Sequence, residues 1–459
     1  MRNHYLFIKT LRTIVILIIV CTGCKVAPSK VPDFNWKVAE GETIKIALNQ
    51  HPYAYAILKE LPRFQEKTGI EVSYTISPEE YYADRITYML HTKTGNPDVF
   101  MTGSYYIWSH ASNGLMQDLD ELMSNHLITN PDLATEDFHP TVLNTLKWDL
   151  VPGNPVGTGK TWALPIGFEI ISLAYNKQWF SELNINPPKT LSELKQQCSM
   201  LNDYKDDDTY ALGLRGTNKW TGLTTGYITS FVNNGAKDFK IVNGKLISTV
   251  NSQEAIEFTD QWAELIKKCV PPEWASYPWY EAGGDLGAGR TGMLFDADNN
   301  AYYQNQKGNS TEAGNIAWTL APLANEGNNF QSNIWTWGLG INEYSTQKKA
   351  SWLFVQYFTS KEFIKKGALE LNLVNPARNS VLKDPKFVNL LQESEGYTKT
   401  LNETLENANE LFTPHPNFFE MSNEWSLTLQ KIVLGEYQSS EEGLNALKLK
   451  IDNILKADN

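Results

Sequence analysis

Strand-like and helix-like patterns of apolar residues alternate along the first hundred residues. Residues 43–48, 70–76 and 97–101 are three short runs with the apolar content of strands. The segment between the first two has apolar residues at helical spacing and ends at Gly69, and a capping box at residues 77–80 begins the next helix. The order strand, helix, strand, helix predicts parallel βαβ units in a doubly wound sheet.

The predicted sheet indicates where a ligand would bind. In doubly wound sheets, ligands lie beyond the carboxyl ends of the strands. That rule points to residues 49–53 after the first strand and to residues 102–106 after the third. Gln50, Thr102 and Tyr105 are therefore candidate ligand contacts.

One isolated acidic residue, Glu169, separates two apolar runs near the middle of the chain. Residues 162–166 have the pattern of a short buried strand, and residues 170–175 form a second apolar run. A charged side chain is rarely buried without a partner. Glu169 is therefore either an ion-paired structural residue or a residue that faces a polar cavity.

Further charged candidates follow two other predicted strands. Arg215 lies at the end of one strand with Trp220 close behind it, and it is either a surface ion-pair partner or a site residue. Asp296 and Asp298 lie at the end of the other. Two aspartates in this position would accept hydrogen bonds from sugar hydroxyls, or they would serve as the general acid and base of a glycosidase.

Two tryptophans are candidates of a different kind. Trp335 and Trp337 stand beside glycines in a loop that enters a strand. Aromatic side chains offer a large apolar surface, which suits the apolar face of a pyranose ring. A tryptophan in such a pattern is equally a core residue, so both interpretations stay open.

The N-terminus has the pattern of an export signal. Arg2, Lys9 and Arg12 precede an apolar run over residues 14–20, which is far shorter than the ~20 residues that span a bilayer. Loss of residues 1–23, which carry these three basic side chains and no acidic one, would change the net charge from −12 to −15. So acidic a protein is not expected to bind nucleic acid.

The remaining chemistry-bearing residues are sparse. Four cysteines do not make a disulfide scaffold in a chain of 459 residues, and whether Cys198 and Cys269 pair stays open. The seven histidines show no spacing typical of metal ligands, and no G-x-S-x-G motif of a serine nucleophile occurs. The sequence therefore predicts no metal and no cofactor.

A series of motifs in a fixed order gives the chain a family resemblance. The middle segment has L-P-I, then Glu169 three residues on, then Y-N-K at residues 175–177. The other motifs are F-x-x-x-T-G-I at 64–70, G-N-P-D at 95–98, N-G-L-x-x-D-L at 113–119, L-R-G-x-x-x-W at 214–220 and P-x-R-x-S-V at 376–381. Together they resemble the maltose-binding-like extracellular solute-binding proteins of bacterial ABC importers, and L-R-G-x-x-x-W resembles the members that bind sugars and sugar alcohols.

The resemblance implies an α/β fold with two lobes, the type II-like periplasmic-binding-protein fold. Each lobe is expected to be a doubly wound sheet flanked by helices, with the ligand cleft between the lobes. The chain is expected to cross between lobes near Glu169, near Trp318 and a third time near residue 385. The expected boundaries are residues 41–168 plus 318–385 for the first lobe and residues 169–317 plus 386–459 for the second.

The resemblance also implies a function, the capture of a sugar, an oligosaccharide or a sugar alcohol. Charged side chains would bind the hydroxyl groups, and the protein would close around the ligand and deliver it to a membrane permease. In the family pattern an arginine of the P-x-R-x-S-V turn often reaches the cleft, which adds Arg378, and Trp425 falls where the pattern carries a cleft aromatic. The implied ligand contacts are Glu169, Arg215, Asp296, Asp298 and Arg378, with tryptophans stacked on the sugar.

The resemblance extends to the N-terminus, where small residues before Cys24 resemble a lipobox. Cys24 would be the lipidated first mature residue, residues 1–23 a signal peptide and residues 24–40 a tether. Cys21 stands where the lipobox prefers leucine, and an uncleaved anchor is the alternative. The expected protein is a lipid-anchored monomer outside the cytoplasmic membrane.

Two other classes of function stay open at this point. An exported, lipid-anchored carbohydrate-active enzyme would need a pair of carboxylates roughly 5–10 Å apart. Asp296 and Asp298 are the candidates for such a pair. A purely adhesive surface lipoprotein is the other class, although it leaves the crossing pattern unexplained.

Overall fold

The computed structural model describes residues 33–323 and 330–457. The expected signal peptide, the expected lipidation site Cys24 and most of the expected tether lie outside these ranges. Among the helices of the described ranges, none combines the length and the apolar character that a membrane crossing requires.

The described residues contain thirteen β-strands. The strands are β1 (Thr43–Asn49), β2 (Glu71–Ser77), β3 (Val99–Thr102), β4 (Lys147–Trp148), β5 (Lys160–Thr161), β6 (Leu164–Asn176), β7 (Tyr210–Gly213), β8 (Phe239–Val242), β9 (Lys245–Ser248), β10 (Thr291–Ala297), β11 (Ile316–Leu320), β12 (Ser332–Ile341) and β13 (Ala408–Asn409). Nine of them form one sheet in the order β2-β1-β3-β12-β6-β10-β7, with β11 beside β6 and β13 beside β12.

Eighteen α-helices accompany these strands in the same part of the chain. The helices are α1 (Pro52–Thr68), α2 (Glu79–His91), α3 (Ser104–Ser112), α4 (Leu119–Ser124), α5 (Pro140–Asn144), α6 (Lys177–Glu182), α7 (Leu191–Leu201), α8 (Gly226–Asn233), α9 (Gln253–Cys269), α10 (Trp279–Ala288), α11 (Asp298–Asn305), α12 (Lys348–Phe358), α13 (Lys361–Glu370), α14 (Asn379–Leu382), α15 (Pro385–Leu391), α16 (Tyr397–Leu405), α17 (Phe418–Val433) and α18 (Ser440–Ala457). The βαβ pattern predicted for the first hundred residues is confirmed, because β1 pairs in parallel with both β2 and β3.

The long strand β6 is shared by two halves of the sheet. Its first part, from Leu164 to Ile170, pairs with antiparallel β12, and β12 pairs in turn with β3. Its last part, from Ile171 to Asn176, pairs with β10 on one side and β11 on the other. The polypeptide therefore passes from one half of the sheet to the other directly after Ile170, one residue beyond Glu169.

The expected return crossing near Trp318 stays a prediction, and the pairing of two strands bears on its position. β11, which contains Trp318, pairs with the second part of β6 and so belongs to the same half of the sheet as β10. The strand that runs beside β6 up to the crossing is β12, where Trp335 is the register partner of Glu169. The indole Nε1 of Trp318 donates to the carbonyl oxygen of Asp298 at 3.1 Å.

Close packing holds the crossing segment against α1. All but one residue of β6 are buried, as expected for a strand that is covered on both faces. A Cβ atom on Gly167 would lie 2.7 Å from the ring of Tyr53, so this approach requires glycine. The Tyr53 hydroxyl then donates to the carbonyl oxygens of Phe168 at 3.1 Å and Val374 at 2.6 Å.

A disulfide bond settles the pairing that the sequence left open. Cys198 in α7 and Cys269 at the end of α9 are bonded, with a Cα–Cα distance of 5.3 Å and 71 residues between them in sequence. Both side chains are fully buried. The bond joins two helices of the second half of the sheet and suits a protein that folds in an oxidising compartment.

Removal of this disulfide is expected to destabilise the protein. In the chain-entropy model a bond that closes a loop of this length lowers the free energy of the folded state, relative to the unfolded state, by about 4 kcal/mol. Urea unfolding of a Cys198→Ala, Cys269→Ala variant should show that loss. Reductant should lower the unfolding midpoint of the wild type and leave the variant unchanged, whereas an equal effect on both would contradict the prediction.

Candidate functional site

Glu169 accepts hydrogen bonds from two side chains of the first half of the sheet. Its Oε1 atom lies 3.0 Å from the indole Nε1 of Trp337 and 3.2 Å from Nε2 of His51. The residue is 8 % exposed. Burial by itself would raise the pKa of Glu169, but the hydrogen bonds from His51 and Trp337 and the charge of Arg215 hold that pKa below its usual value. Glu169 is therefore a partnered, ionised group at the crossing.

The start of α1 fixes the orientation of the His51 ring. His51 is the N-cap of this helix, and its Nδ1 atom accepts the backbone N–H of Tyr53 at 3.2 Å. A nitrogen that accepts carries no proton, so the other ring nitrogen, Nε2, carries it. Nε2 is therefore the ring nitrogen that donates to Glu169.

A second pair of charged groups comes from the other half of the sheet. The guanidinium group of Arg215 donates to both oxygens of Asp296, through Nε at 2.8 Å and Nη2 at 2.7 Å. Asp296 is 1 % exposed, and it lies in β10 opposite Ser172 of β6. Arg215 is near enough for its charge to act on Glu169. The two strand ends that the sequence indicated therefore meet beside the crossing.

The aromatic candidates form one cluster, the tryptophan cluster, which consists of Trp335, Trp337, Trp220 and Tyr105. The ring of Trp335 lies 4.8 Å from Tyr105, 5.0 Å from Trp337 and 5.5 Å from Trp220, measured between centroids. Trp335 also packs over Gly103, where a Cβ atom would come within 2.5 Å of its ring. The ring faces of Trp335 are therefore largely covered by other side chains.

Two cavities flank this region. One of about 430 Å³ lies between α2, the segment from Thr217 to Thr221 and the start of α17, and Trp220 lines it. The other, of about 400 Å³, lies between His51, the start of α2 and Trp279 at the start of α10. Glu79 lines both cavities. The exposed candidate Gln50 lines the second cavity.

Asp298 lies beside the crossing but faces away from these cavities into a closed network. Its carboxylate accepts from the Ile170 N–H at 3.2 Å, from Asn375 Nδ2 at 2.9 Å and from the Tyr397 hydroxyl at 2.7 Å. The residue is 1 % exposed. In this structure Asp298 therefore holds the crossing in place through contacts within the protein, and its expected role as a ligand contact stays a prediction.

Arg378 also differs from expectation. Its side chain is 0 % exposed and donates to three backbone carbonyl oxygens, those of Thr359, Leu133 and Ala134. The guanidinium group lies over the ring of Phe138. Burial lowers the pKa of Arg378 to about 10. All of these contacts are with the protein itself, so Arg378 ties loops together, and its expected contact with a ligand stays a prediction.

Trp425, Tyr105 and Thr102 are buried in a similar way. Trp425 is 3 % exposed and its Nε1 donates to the Tyr227 hydroxyl at 3.3 Å, so it is a core residue. Tyr105 is 0 % exposed, and its ring stacks on Phe418 at 4.3 Å. Thr102 is 0 % exposed at the end of β3, and its hydroxyl has no hydrogen-bond partner in residues 33–323 and 330–457.

Four residues of this region were not among the sequence candidates. His51, Glu79 and Trp279 line the cavities, and the amide of Asn49, 0 % exposed at the end of β1, has no hydrogen-bond partner within the described ranges. The strand-end rule covers Asn49 and His51, so that signal was available. Glu79 lies in a segment that the sequence indicates as a helix cap. In the same ranges, no group of three or more His, Cys, Asp or Glu side chains is arranged to hold a metal ion.

Comparisons with known proteins bear on this arrangement. The family model described as "Bacterial extracellular solute-binding protein" matches residues 49–364. The chain belongs to this family. An erythritol/L-threitol-binding protein of Mycolicibacterium smegmatis is 34 % identical over 408 residues, which is 89 % of this chain and 85 % of that protein. Members are binding proteins outside the cytoplasm, so this chain is an exported solute-binding protein.

Solved structures show the same fold. A solute-binding protein of Agrobacterium radiobacter in complex with ribitol has a TM-score of 0.79 at 20 % identity, over 90 % of this chain and 99 % of that one. The maltose-bound MalE3 of T. maritima has a TM-score of 0.77 at 18 % identity, with 90 % and 99 % coverage. The two-lobed α/β fold expected from the sequence is thereby confirmed. We call the half of the sheet that contains β1 the first lobe and the half that contains β10 the second lobe.

The structural role of Arg378 leads to a stability prediction. Arg378→Lys keeps the charge but removes the planar fork that donates to Thr359, Leu133 and Ala134. Buried carbonyls that lose their donors should lower the free energy of unfolding by about 3 kcal/mol. Urea unfolding measures this loss. Arg63→Lys, at a side chain 68 % exposed, is the matched control and should change stability by less than about 0.5 kcal/mol; equal effects of the two would contradict the assignment.

The pKa of Asp298 leads to a pH-dependent prediction. Burial raises it from the usual 3.8 to about 6, against the hydrogen bonds from Asn375 and Tyr397. Because the folded state then binds the proton more tightly than the unfolded state, the stabilisation from this group is present below pH 3.8 and is lost as the pH rises through 6. The free energy of unfolding of the wild type, relative to that of Asp298→Asn, should therefore fall by about 3 kcal/mol between pH 4 and pH 8. Urea unfolding across this range tests it, and a constant difference would contradict the assignment.

Proposed function

We propose that this protein is the extracytoplasmic substrate-binding component of an ABC importer and that its ligand is a short sugar alcohol. The named activity of the erythritol/L-threitol-binding relative supports a sugar alcohol, because that protein matches most of the chain. The ribitol complex with a similar fold is consistent with the same class of ligand. Capture by closure of the lobes and delivery to membrane permease subunits follow from this role.

The observation that carries the proposal is the set of fixed polar groups at the crossing. Glu169 is held by Trp337 and His51, and Arg215 is held by Asp296, so their positions are set by the protein alone. Ionised groups make the stronger hydrogen bonds with hydroxyls. A ligand that consists almost wholly of hydroxyl groups matches such a surface, because each hydroxyl both donates and accepts.

The packing of the tryptophan cluster favours a short linear ligand over an oligosaccharide. A sugar ring needs a free aromatic face, whereas Trp335 has three aromatic neighbours within 5.5 Å and is 7 % exposed. Trp337 is 1 % exposed and donates its indole N–H to Glu169. The cluster therefore serves as an apolar wall, and the polar groups provide the recognition.

The rival proposal, a carbohydrate-active enzyme, has less support. A glycosidase needs two carboxylates that face the same bond. Both oxygens of Asp296 are engaged by Arg215, and Asp298 is enclosed by Asn375, Tyr397 and the Ile170 N–H. Both aspartates are therefore committed to contacts within the protein, and we propose that binding occurs without turnover.

The cellular location and the lobe boundaries of the protein are also part of the proposal. Cys24 as a lipidated first residue and residues 24–40 as a tether would hold a monomer at the outer face of the cytoplasmic membrane. We take residues 41–168 as the continuous part of the first lobe, because β6 changes partners shortly after them, between Ile170 and Ile171. The second part of that lobe, expected over residues 318–385, would begin only at residue 330, because β11 pairs with the last part of β6. The described residues 169–323 and 386–457 would form the second lobe.

A ligand panel tests the function. Erythritol, ribitol, mannitol and maltose are added to the protein from residue 25 onwards, and the melting temperature and the tryptophan fluorescence are recorded. A ligand at 100 times its Kd should stabilise the folded state by about 2.7 kcal/mol, which corresponds to a rise of about 3 °C or more. We expect this rise with at least one tetritol or pentitol, and chromatography should recover that ligand chemically intact.

Matched variants make the test specific to the site. Glu169→Gln should weaken the binding of that sugar alcohol by about 10- to 100-fold, since a charged hydrogen-bond partner is lost. Glu403→Gln, a surface glutamate in α16, is the control and should leave affinity unchanged. Binding of maltose alone would contradict a sugar-alcohol ligand, and formation of product would support the enzyme instead.

A further inference from the structure

Glu79 stands free at the start of α2, although the sequence there has the pattern of a capping box. The N-cap of α2 is Pro78, which makes no side-chain cap, and the Ser77 hydroxyl instead accepts from Arg85 Nη1 at 3.0 Å. No hydrogen bond or ion pair to Glu79 occurs within residues 33–323 and 330–457. The carboxylate therefore has no direct hydrogen-bond partner in these ranges, although it lies in the first turn of the helix.

The position of Glu79 places it where the two lobes meet. It lines the cavity of about 430 Å³, whose opposite wall includes Trp220, and also the cavity of about 400 Å³, whose opposite wall includes Trp279. α2 packs on β1 in the first half of the sheet, whereas α10, which begins at Trp279, packs on β10 and β7 in the second half. Glu79 therefore reaches from one lobe toward groups of the other.

The charges around Glu79 do not balance. Arg215 pairs with Asp296 through Nε and Nη2, and Glu169 lies 3.2 Å from His51 Nε2. The positive charge of Arg215 acts on Glu79, but so do the negative charges of three carboxylates, those of Glu169, Glu80 and Asp296. Burial is the largest cause that raises the pKa of Glu79, to about 7. The site therefore has an excess of negative charge before any ligand enters.

We propose that Glu79 determines the charge selectivity of the site, so that it accepts uncharged sugar alcohols and rejects the aldonates of the same chain length. This inference rests on the proposed function. A hydroxyl group can donate to the Glu79 carboxylate, whereas a ligand carboxylate can only accept. It would bring a further negative charge into a partly desolvated site, where a like charge at about 4 Å weakens binding by about 1000-fold.

The test compares each sugar alcohol with its acid. Calorimetric titrations at pH 8.5, above the raised pKa of Glu79, use erythritol with erythronate and ribitol with ribonate. The wild type should bind the acid at least about 100-fold more weakly than the alcohol. Glu79→Gln should lower this ratio by at least about 10-fold, because the acid gains affinity while the alcohol loses a charged acceptor. Glu79→Asp keeps the charge and should keep the discrimination.

Asp84→Asn is the control. Asp84 lies on the same helix and lines the same cavity of about 430 Å³, but its side chain is 79 % exposed, so solvent screens its charge. The ratio of alcohol affinity to acid affinity should therefore stay within about twofold of the wild-type ratio. The thermal melt of each free variant confirms that it is folded. Equal binding of acid and alcohol by the wild type, or an unchanged ratio in Glu79→Gln, would overturn the inference while the proposed function stands. Binding of neither series would overturn the proposed function and this inference with it.

Discussion

The structure depends on one strand that has to serve two lobes. Where β6 exchanges β12 for β10 and β11 as partners, its backbone groups lose the regular ladder and need other partners. The carboxylate of Asp298 supplies one by accepting the Ile170 N–H, and Asn375 and Tyr397 hold that carboxylate in turn. These four residues come from β6, α11, the segment before α14 and α16, so distant parts of the chain meet at the crossing. A buried carboxylate is costly to desolvate, and here three donors offset that cost.

The candidate site takes its geometry from the same place. Glu169 precedes the exchange of partners by one residue and is therefore fixed relative to both lobes. His51 and Glu79 belong to elements of the first lobe, while Arg215, Asp296 and Trp279 belong to the second. A ligand between them would contact a fixed carboxylate in the middle and groups on either side whose separation depends on the angle between the lobes. Hinge closure in such a fold requires only that the crossing strands bend, because the contacts within each lobe are preserved.

The sequence predicted the residues whose signal is local and missed those whose role depends on distant partners. Glu169 stands out because it is a charge between two apolar runs, and Arg215 and Asp296 because they lie at strand ends. Arg378 has an equally conspicuous position, but its partners are carbonyls of Leu133 and Ala134, more than 240 residues away, and nothing local indicates them. His51 and Glu79 were missed for a different reason. Both lie in helix N-terminal segments, where the local sequence pattern favours a capping role over a role in ligand binding. The α/β fold was predictable because strand and helix periodicity is local, whereas the direction in which a side chain points is not.

The charged pairs also bear on how the candidate site would be prepared for the proposed ligand. A cleft with free donors and acceptors would leave buried polar groups unsatisfied, at about 1–3 kcal/mol each. In this protein Glu169 is satisfied by Trp337 and His51, and Arg215 by Asp296. Replacement of a buried ion pair by apolar residues is often neutral for stability, so stability alone does not account for the Arg215–Asp296 pair. We infer that the pair preorganises the site. Side chains that are already held in place lose little conformational entropy when a flexible polyol binds, so most of the entropy loss comes from the ligand. A short polyol has few torsions to order, which is a physical reason for this site to favour a tetritol or pentitol over a longer chain.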